Sequence, residues 1–175
     1  MAEFMVYHSE SEVSGQVMLN SIQAMGRAAR GVVNKHIIGE LDPNGWYPQQ
    51  TWLDILRDAA EEMQLDLLTV GNRVASSLPM PNGVFSLERL LDLVDDNYQT
   101  THRHADPVHV TATQVGEREV RVFDNSPYPD EFQYGMIFGL FQRLMPMDAN
   151  LTVRYDESAP TRSDGADATT YIVTW

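Results

Sequence analysis

The N-terminal half of the chain carries its apolar side chains mostly three and four residues apart, which is the spacing of amphipathic helices. Serine and threonine residues that suit helix N-termini, and turns rich in Pro, Asn and Gly, divide this half into segments. The pattern predicts helices over Ser11 to Arg30, Val32 to Leu41, a segment starting at Thr51, Leu65 to Leu78, and a segment that follows Ser86 and runs to Tyr98.

The C-terminal half alternates apolar and polar residues instead, as half-buried strands do. Four strands are predicted, with a helix inserted between the second and third: Val108 to Thr113, Glu119 to Phe123, Leu151 to Tyr155 and Thr169 to Trp175. We therefore expect an α+β fold, in which an N-terminal helical layer packs on a four-stranded antiparallel sheet with an inserted helix. One domain is expected, with a helical extension at 1–30, a helical half at 31–106 and a strand–strand–helix–strand–strand half at 107–175.

The inserted helix, within Asn125 to Leu144, contains two glycines four residues apart, Gly135 and Gly139. A glycine costs a helix roughly 1 kcal/mol relative to alanine, so a packing reason is expected for both. Residues four apart share a helix face, and missing side chains on that face let another backbone come near. We therefore predict close packing at Gly135 and Gly139.

Composition argues against several classes of function. The chain has 25 acidic and 12 basic residues, a net charge of −13, which disfavours contact with nucleic-acid phosphates. No apolar run has the length of a membrane span, and the N-terminus lacks the pattern of a secretory signal. Cysteine is absent, which removes disulfides and thiolate sites and fits a cytoplasmic protein. We expect a cytoplasmic location, with no nucleic-acid or membrane partner.

Three histidines, His102, His104 and His109, lie close together in the sequence. A His-x-His pair on a strand projects both rings to one side, as a zinc or iron site requires. Pro107 interrupts the segment and no second pair of ligands accompanies it, so a polar connection between a helix and a strand is the preferred interpretation. No nucleophile elbow or phosphate-binding loop is present. The sequence therefore predicts no catalytic residue, no metal site and no cofactor.

The order of several motifs resembles known domains. The segments SPYPDEFQYGMIFGLFQRL, LTVRYDES, APTRSDGADAT and TYIVTW look like the C-terminal half of the 4-vinyl-reductase-type and heme-nitric-oxide-binding-like domains. In the helical half, ARGVVNKHIIGEL followed by QTWLDILRDAAEEM resembles the start of the heme-nitric-oxide-binding family. The resemblance covers most of residues 29–175 and implies a sensory or regulatory ligand-binding fold, which Golgi-transport subunits also use.

Two departures from these families argue against a bound metal or heme. Where the vinyl-reductase-type relatives often carry a cysteine pair, this chain has Thr161 and Thr169. The heme-binding relatives need a proximal histidine on the helix before the sheet, but the face from Leu87 to Tyr98 has none, and His102 lies beyond it. Their tyrosine–serine–arginine clamp, in Y-x-S-x-R spacing, is also missing. The resemblance, with these departures, predicts a heme-free protein.

Aromatic residues and flexible methionines suit the wall of a site for an apolar ligand, although they are equally typical of an ordinary core. The residues expected to line such a pocket are Trp46, Trp52, Phe132, Met136, Phe138 and Phe141. The leading hypothesis is a non-enzymatic, heme-free small-ligand sensor or regulatory domain of bacterial signalling that relays to a partner protein. A structural homodimeric interaction module with a closed pocket is one alternative. A metal-dependent enzyme that uses His102, His104 and His109 is the other.

The helix predicted over Ser11 to Arg30 precedes most of the region of resemblance and has an apolar stripe of its own. An isolated helix of this length is marginal in water, so something must cover the stripe. Because the other predicted helices suffice for the sheet, an identical subunit is the economical partner. We therefore predict a homodimer in which Val17, Ile22 and Met25 lose solvent between chains.

Overall fold

The computed structural model describes residues 3–78, 87–105, 108–145 and 149–175. Its helices are α1 (Gly15–Met25), α2 (Arg30–His36), α3 (Gln49–Met63), α4 (Leu67–Ser77), α5 (Leu87–Thr101) and α6 (Asp130–Gln142). Its strands are β1 (Glu12–Ser14), β2 (Trp46–Pro48), β3 (His102–Arg103), β4 (Val110–Gly116), β5 (Glu119–Asp124), β6 (Thr152–Tyr155) and β7 (Thr169–Thr174). None of the described helices is both long and apolar enough to cross a membrane.

The larger sheet has the strand order β4-β5-β7-β6, and all its pairings are antiparallel. Alternation places one face in the core, where Val120 lies opposite Val173 and Val122 lies opposite Tyr171, all fully buried. Such cross-strand pairs of β-branched and aromatic side chains stabilise the sheet. The predicted α+β class, with a four-stranded antiparallel sheet and a helix inserted between its strands, is confirmed.

A second, three-stranded sheet is not predicted by the hydrophobic pattern. In this sheet β1 pairs with both β2 and β3, so that Val13 lies opposite Tyr47 and His102. Its strands are only two or three residues long, too short for an alternation to be recognised. Because β1 occupies the start of the expected first helix, α1 begins at Gly15, with the Ser14 hydroxyl accepting a hydrogen bond from the backbone N–H of Val17.

The apolar stripe of α1 is covered largely within its own chain. Met18 is fully buried, Met25 is 4% exposed, and α1 lies against α4. Val17 lines a cavity, and Ile22 is half-buried. The expectation that this stripe needs a second copy to cover it is therefore wrong for most of its residues.

The helices α4 and α6 approach each other at backbone distance. A Cβ added to Gly135 would lie 2.0 Å from the carbonyl oxygen of Leu68, and one added to Gly139 would lie 2.7 Å from Oδ1 of Asn72. On the facing helix, a Cβ added to Gly71 would lie 2.1 Å from a backbone oxygen of α6. Side chains would prevent this approach, so both helices use glycine at the contact.

Several helix and strand boundaries lie a few residues away from the predicted ones. α3 begins at Gln49 rather than at Thr51, and α2 ends at His36 rather than at Leu41. The turn between β4 and β5 is shorter than the sequence indicates, because β4 extends to Gly116. Helix ends commonly differ by one or two residues between criteria, which accounts for α3 but not for α2, whose backbone becomes extended at Ile37. The predicted cap Ser86 lies outside the described residues.

Candidate functional site

A cavity of about 310 Å³ lies between the helical half of the chain and α6. Its volume is about twice that of an engineered 150 Å³ apolar cavity that holds a benzene molecule. Ligand pockets in proteins start at about 300 Å³. Its apolar wall includes Val17, Trp52, Val74, Leu90, Val94, Phe132, Met136, Ile137 and Leu140. The cavity is therefore suited to a small, mainly apolar molecule.

Helical periodicity explains why α6 provides much of this wall. Phe132, Met136 and Leu140 are each four residues apart, so they lie along one ridge of the helix and reach the same cavity. The neighbouring ridge carries Gly135 and Gly139, which contact α4. The close helix contact thus holds the lining residues of α6 in place.

His102 brings polar groups to the cavity wall. It directly follows α5, and its Nδ1 lies 3.0 Å from the backbone carbonyl oxygen of Tyr98, one turn earlier. Its Nε2 lies 2.8 Å from the hydroxyl of Tyr128. Because a carbonyl oxygen only accepts hydrogen bonds, Nδ1 carries the proton, and the hydroxyl of Tyr128 donates to Nε2. The His102 ring also stacks on the ring of Tyr98, with centroids 3.9 Å apart.

Burial keeps this polar cluster uncharged. Loss of hydration lowers the pKa of His102 to about 4, although its hydrogen bond to the Tyr98 carbonyl acts in the opposite direction. Burial also raises the pKa values of Tyr98 and Tyr128 above their ordinary value. The polar part of the cavity wall that these three residues form is therefore neutral near pH 7.

Trp52 carries a hydrogen-bond donor that has no partner among the described residues. Its side chain is fully buried on α3 and lines the cavity. Among the described residues, no acceptor lies within hydrogen-bonding distance of its Nε1. Other polar side chains of the wall do have partners: Nε2 of Gln133 donates to the Ser126 hydroxyl at 2.9 Å, and the Ser21 hydroxyl donates to a backbone carbonyl of α1.

Three of the six residues predicted for a pocket lie at the cavity: Trp52, Phe132 and Met136. Phe141 is buried elsewhere in the core, and Phe138 is partly buried against that core. The remaining residue, Trp46, lies on β2. The guanidinium group of Arg103 stacks on its ring, 3.8 Å from the ring centre. Apolar character alone does not distinguish the sides of α6, because this helix is surrounded by protein on most of its surface.

Sequence reasoning missed His102, Tyr128 and Gln133 as cavity residues. His102 belongs to a segment predicted as a polar connection, and Tyr128 precedes the first helical residue of α6. A signal for His102 was nevertheless present, because Leu90, Val94, Tyr98 and His102 are each four residues apart. His102 therefore continues the inward face of α5 by one further turn.

The other two candidate histidines lie away from the cavity. His104 is exposed beside His8, and His109 is exposed with its Nδ1 3.8 Å from Oδ1 of Asp95. In the part of the chain that the structure describes, no three His, Cys, Asp or Glu side chains are grouped to hold a metal ion. His102, His104 and His109 thus do not converge on one site.

A buried ion network lies at the N-terminus of α6. Arg162, in the connection between β6 and β7, is 3% exposed and donates to Oδ1 of Asp130 through Nε at 2.9 Å and Nη2 at 2.6 Å. Its Nη2 also lies 3.5 Å from Oδ2 of Asp124. Burial raises the pKa of Asp124, and the charge of Arg162 opposes this shift. Burial would lower the pKa of Arg162, but the neighbouring carboxylates raise it above its ordinary value.

Hydrogen bonds join this network to the cavity wall. Gln133 lines the cavity and donates to the hydroxyl of Ser126. The backbone N–H of Ser126 in turn donates to Oδ1 of Asp124 at 2.6 Å. A side chain of the cavity wall is therefore two hydrogen bonds away from the buried ions.

The N-terminal segment, residues 3–8, lies over the turn that precedes α6. The Glu3 carboxylate accepts a hydrogen bond of 2.6 Å from the backbone N–H of Asp130. The Tyr7 hydroxyl donates to the backbone carbonyl of Asn125 at 2.7 Å. One turn of backbone thus contacts the cavity wall, the buried ions and the N-terminal segment.

No family model and no curated protein matches this sequence. Solved structures do match it over nearly the whole chain. An H-NOX protein mutant from K. algicida, Fe(II) unliganded, is 14% identical with a TM-score of 0.66, covering 92% of this chain and 95% of that chain. An H-NOX protein from S. oneidensis in the Fe(II)NO ligation state is 14% identical with a TM-score of 0.65, over 91% and 97%.

A third structure, solved to probe the function of heme distortion in the H-NOX family, is 14% identical with a TM-score of 0.62, covering 93% of this chain and 94% of that chain. The likeness extends through both the helical half and the sheet, in agreement with the motifs that suggested it. At this level of identity the likeness concerns the fold. The chain therefore has the heme-nitric-oxide-binding, or H-NOX, fold.

Proposed function

We propose that the protein is a non-enzymatic, heme-free sensor domain of bacterial signalling, located in the cytoplasm, which binds a small apolar ligand and relays its presence to a partner protein. The observation that carries this proposal is the 310 Å³ cavity with a mainly apolar wall and a neutral polar cluster. Ligand pockets in proteins occupy about 300–1,000 Å³ and are mostly apolar. A space of this size therefore favours a binding site over a closed core.

Heme does not fit the hydrogen bonding of this cavity. Histidine binds iron through an unprotonated ring nitrogen. In His102 the only such nitrogen is Nε2, which accepts the hydrogen bond from Tyr128, while Nδ1 is protonated toward the Tyr98 carbonyl. The ring of Tyr128 is itself stacked on Phe132, with centroids 5.6 Å apart. An iron on His102 would have to displace a packed tyrosine.

The charges and the volume of the cavity also disfavour heme. The two carboxylates of heme need cationic partners when they are buried. Among the described residues that line the cavity, none is Arg or Lys, and Asp96 would repel an anion. Arg162 is committed to Asp124 and Asp130. A volume near 310 Å³ is also small for a porphyrin.

The turn before α6 offers a route by which ligand binding can reach the surface. Tyr128, Phe132 and Gln133 line the cavity. Residues of the same segment hold the N-terminal segment through hydrogen bonds to Glu3 and Tyr7. A ligand that shifts the cavity side of this turn therefore changes the contacts of a half-buried segment at the surface, where a partner protein can detect the change.

Stabilisation by naphthalene tests the proposed binding. A ligand that binds only the native state stabilises it by about 2.7 kcal/mol at a concentration of 100 Kd, so Tm should rise by several degrees. Val94→Phe fills the cavity from α5 and should abolish the rise. Leu91→Phe is the matched control, since Leu91 is half-buried on the same helix but does not line the cavity. A wild-type Tm that naphthalene leaves unchanged contradicts the proposal.

Heme addition tests the heme-free part separately. The purified protein mixed with heme should give no Soret absorption band that saturates at one equivalent. A stable, stoichiometric complex that disappears in His102→Ala would overturn this part of the proposal. Native mass spectrometry of the purified protein reports a retained ligand, a metal and the oligomeric state together.

The alternative of a structural homodimeric module depends on surface contacts of α1. Ile22 is half-buried and remains available for such a contact, whereas Met25 is not. The homodimer therefore stays a prediction, although most of the apolar stripe that motivated it is buried within its own chain. The metal-dependent enzyme finds no support, because His102 is buried while His104 and His109 lie at the surface.

A further inference from the structure

We infer that the ligand is a protonated amine with an apolar body: the body fills the cavity, and the ammonium group binds at the exposed end of the cavity, beside Asp96. The inference rests on the proposed function, because it identifies the chemistry of a ligand for the same cavity. It depends on three features of that end: its exposure, the hydrogen-bond acceptors that it presents, and its charge.

The cavity has a buried interior and an exposed end. Interior residues such as Trp52 and Tyr128 are at most 4% exposed. Three other lining residues, Asp96, Asn97 and Thr100, are exposed, and we call them the mouth. All three belong to the last two turns of α5, so they form one surface. A molecule that fills the cavity therefore ends at these side chains, where water also reaches.

The polar groups of the interior already have protein partners. Tyr128 donates to His102, and the Tyr98 hydroxyl accepts a hydrogen bond from Nε2 of Gln49 at 3.1 Å. A polar ligand group in the interior would have to break such bonds or stay without a partner, and either outcome weakens binding. The interior therefore takes the apolar body of the ligand, and the polar group lies at the mouth.

The mouth presents mainly hydrogen-bond acceptors. The Thr100 hydroxyl donates to the backbone carbonyl of Asp96 at 2.8 Å, and the adjacent Thr101 hydroxyl, which also lines the cavity, donates to that of Asn97 at 2.6 Å. A hydroxyl has a single proton, so both keep only lone pairs for a ligand. An ionised carboxylate such as that of Asp96 only accepts, whereas the Asn97 amide can donate or accept. The complementary ligand group is therefore a donor, and an ammonium group only donates.

The charge of the mouth favours a cation. Among the described residues that line the cavity, Asp96 carries the only charge, because His102 is neutral near pH 7. Within the described part of the chain, no ion pair involves Asp96. The mouth also lies near the C-terminus of α5, whose last turn contains no basic residue. A helix C-terminus carries a partial negative charge, so a cation at the mouth meets two sources of negative potential.

A series of naphthalene derivatives of similar size tests the inference: 1-naphthylmethylamine, which is cationic at pH 7, the neutral 1-naphthalenemethanol, and the anion 1-naphthoate. Calorimetry at low salt should show that the amine binds the wild-type protein about two- to tenfold more tightly than the alcohol, as expected for one exposed ion pair beside a helix terminus. Naphthoate should bind most weakly. In Asp96→Asn, which keeps the size of the side chain and removes its charge, the preference for the amine should fall at least about twofold.

Glu61→Gln is the matched control. It removes a carboxylate that is exposed on α3 and does not line the cavity, so the wild-type preference for the amine should remain. A spectroscopic measurement on the wild-type protein complements the variants. With ¹³C-labelled aspartate, the carboxylate resonance of Asp96 should shift with the amine far more than with the alcohol.

The outcomes separate this inference from the proposed function. Equal affinity of the amine and the alcohol for the wild type, or a preference that Asp96→Asn leaves unchanged, would overturn the ammonium group at the mouth while leaving the apolar site standing. Tightest binding of naphthoate would overturn it as well. If none of the three derivatives binds although naphthalene does, the inference fails alone. If naphthalene does not bind either, the proposed function itself fails.

Discussion

The neutral histidine of the cavity wall makes the stability of this protein depend on pH. Burial lowers the pKa of His102 in the folded state to about 4, from 6.5 in a solvated histidine. Between these values the unfolded chain binds a proton that the folded chain does not. Stability therefore falls as the pH decreases from about 6.5 to about 4, and the contribution of His102 is fully present only above this window.

Replacement of His102 tests this dependence. In His102→Gln the loss of stability between pH 7 and pH 4.5 should be smaller than in the wild type, by on the order of 1–3 kcal/mol. His104→Gln is the control, because His104 is exposed and its replacement should leave the wild-type pH dependence intact. Denaturant unfolding at both pH values gives the comparison. Parallel curves for the wild type and His102→Gln would show that His102 is not neutral in the folded protein.

Arg162 is a second residue whose burial determines its energetic role. In Arg162→Met, Asp124 and Asp130 remain buried without their cation, which should cost about 3–5 kcal/mol. Without the charge of Arg162, burial raises the pKa of Asp124 further, so the loss of stability should grow as the pH rises.

The control for Arg162 is an arginine–aspartate pair in which the arginine is exposed and the aspartate is buried. Nη1 of Arg121 lies 3.8 Å from Oδ2 of Asp156, with the Arg121 side chain 51% exposed. A pair with an exposed arginine contributes about 0–1 kcal/mol, and Asp156 keeps its hydrogen bonds from Ser158, so Arg121→Met should change the free energy of unfolding little. Urea unfolding of both variants measures the difference. Equal stabilities for Arg162→Met and Arg121→Met would mean that the buried network does not stabilise the fold.

At the scale of elements, the contact between α4 and α6 depends on the absence of side chains. The atoms that a Cβ on Gly135 would meet belong to the backbone of Leu68 and Asn72, at 2.0 to 2.9 Å, and a backbone cannot rotate away. Gly135→Ala should therefore destabilise by about 1–3 kcal/mol, although alanine is the better helix former. Chemical denaturation measures this loss.

Gly31 provides the matched control on α2. A Cβ there meets nothing within 4 Å, so Gly31→Ala should be neutral or stabilise the protein by up to about 1 kcal/mol. The pair separates the loss of close packing from the general effect of exchanging glycine for alanine. If Gly135→Ala were as stable as Gly31→Ala, α4 and α6 would not be in backbone contact.

At the scale of the whole molecule, the covering of α1 decides how stability depends on protein concentration. Met18 is fully buried within one chain, so Met18→Ala should cost about 2–5 kcal/mol at any concentration. If folding needs no second copy, the Tm of the wild type will not change over a hundredfold range of concentration. Light scattering together with these melts distinguishes a monomer from a homodimer. A Tm that rises with concentration, with a mass of two chains, would support the homodimer.

The local hydrophobic pattern was sufficient to predict those elements that keep one face buried along their whole length. The alternation in β5 and β7 records one buried face, so these strands could be predicted within a residue or two. The four-residue spacing of Leu90, Val94 and Tyr98 likewise records the inward face of α5. Gly135 and Gly139 could be recognised as a packing surface, because a glycine pair inside a helix has few other causes.

The sequence by itself thus determined the α+β class, the order of the main elements and the apolar faces of the helices, because each follows from periodicity within one segment. Only the tertiary structure decided what covers each face. It placed Trp52, Phe132 and Met136 at one cavity and left Trp46, Phe138 and Phe141 outside it. It also joined residues distant in sequence around His102 and Arg162. A cavity and a shifted pKa both depend on such distant neighbours, which the periodicity of one segment does not record.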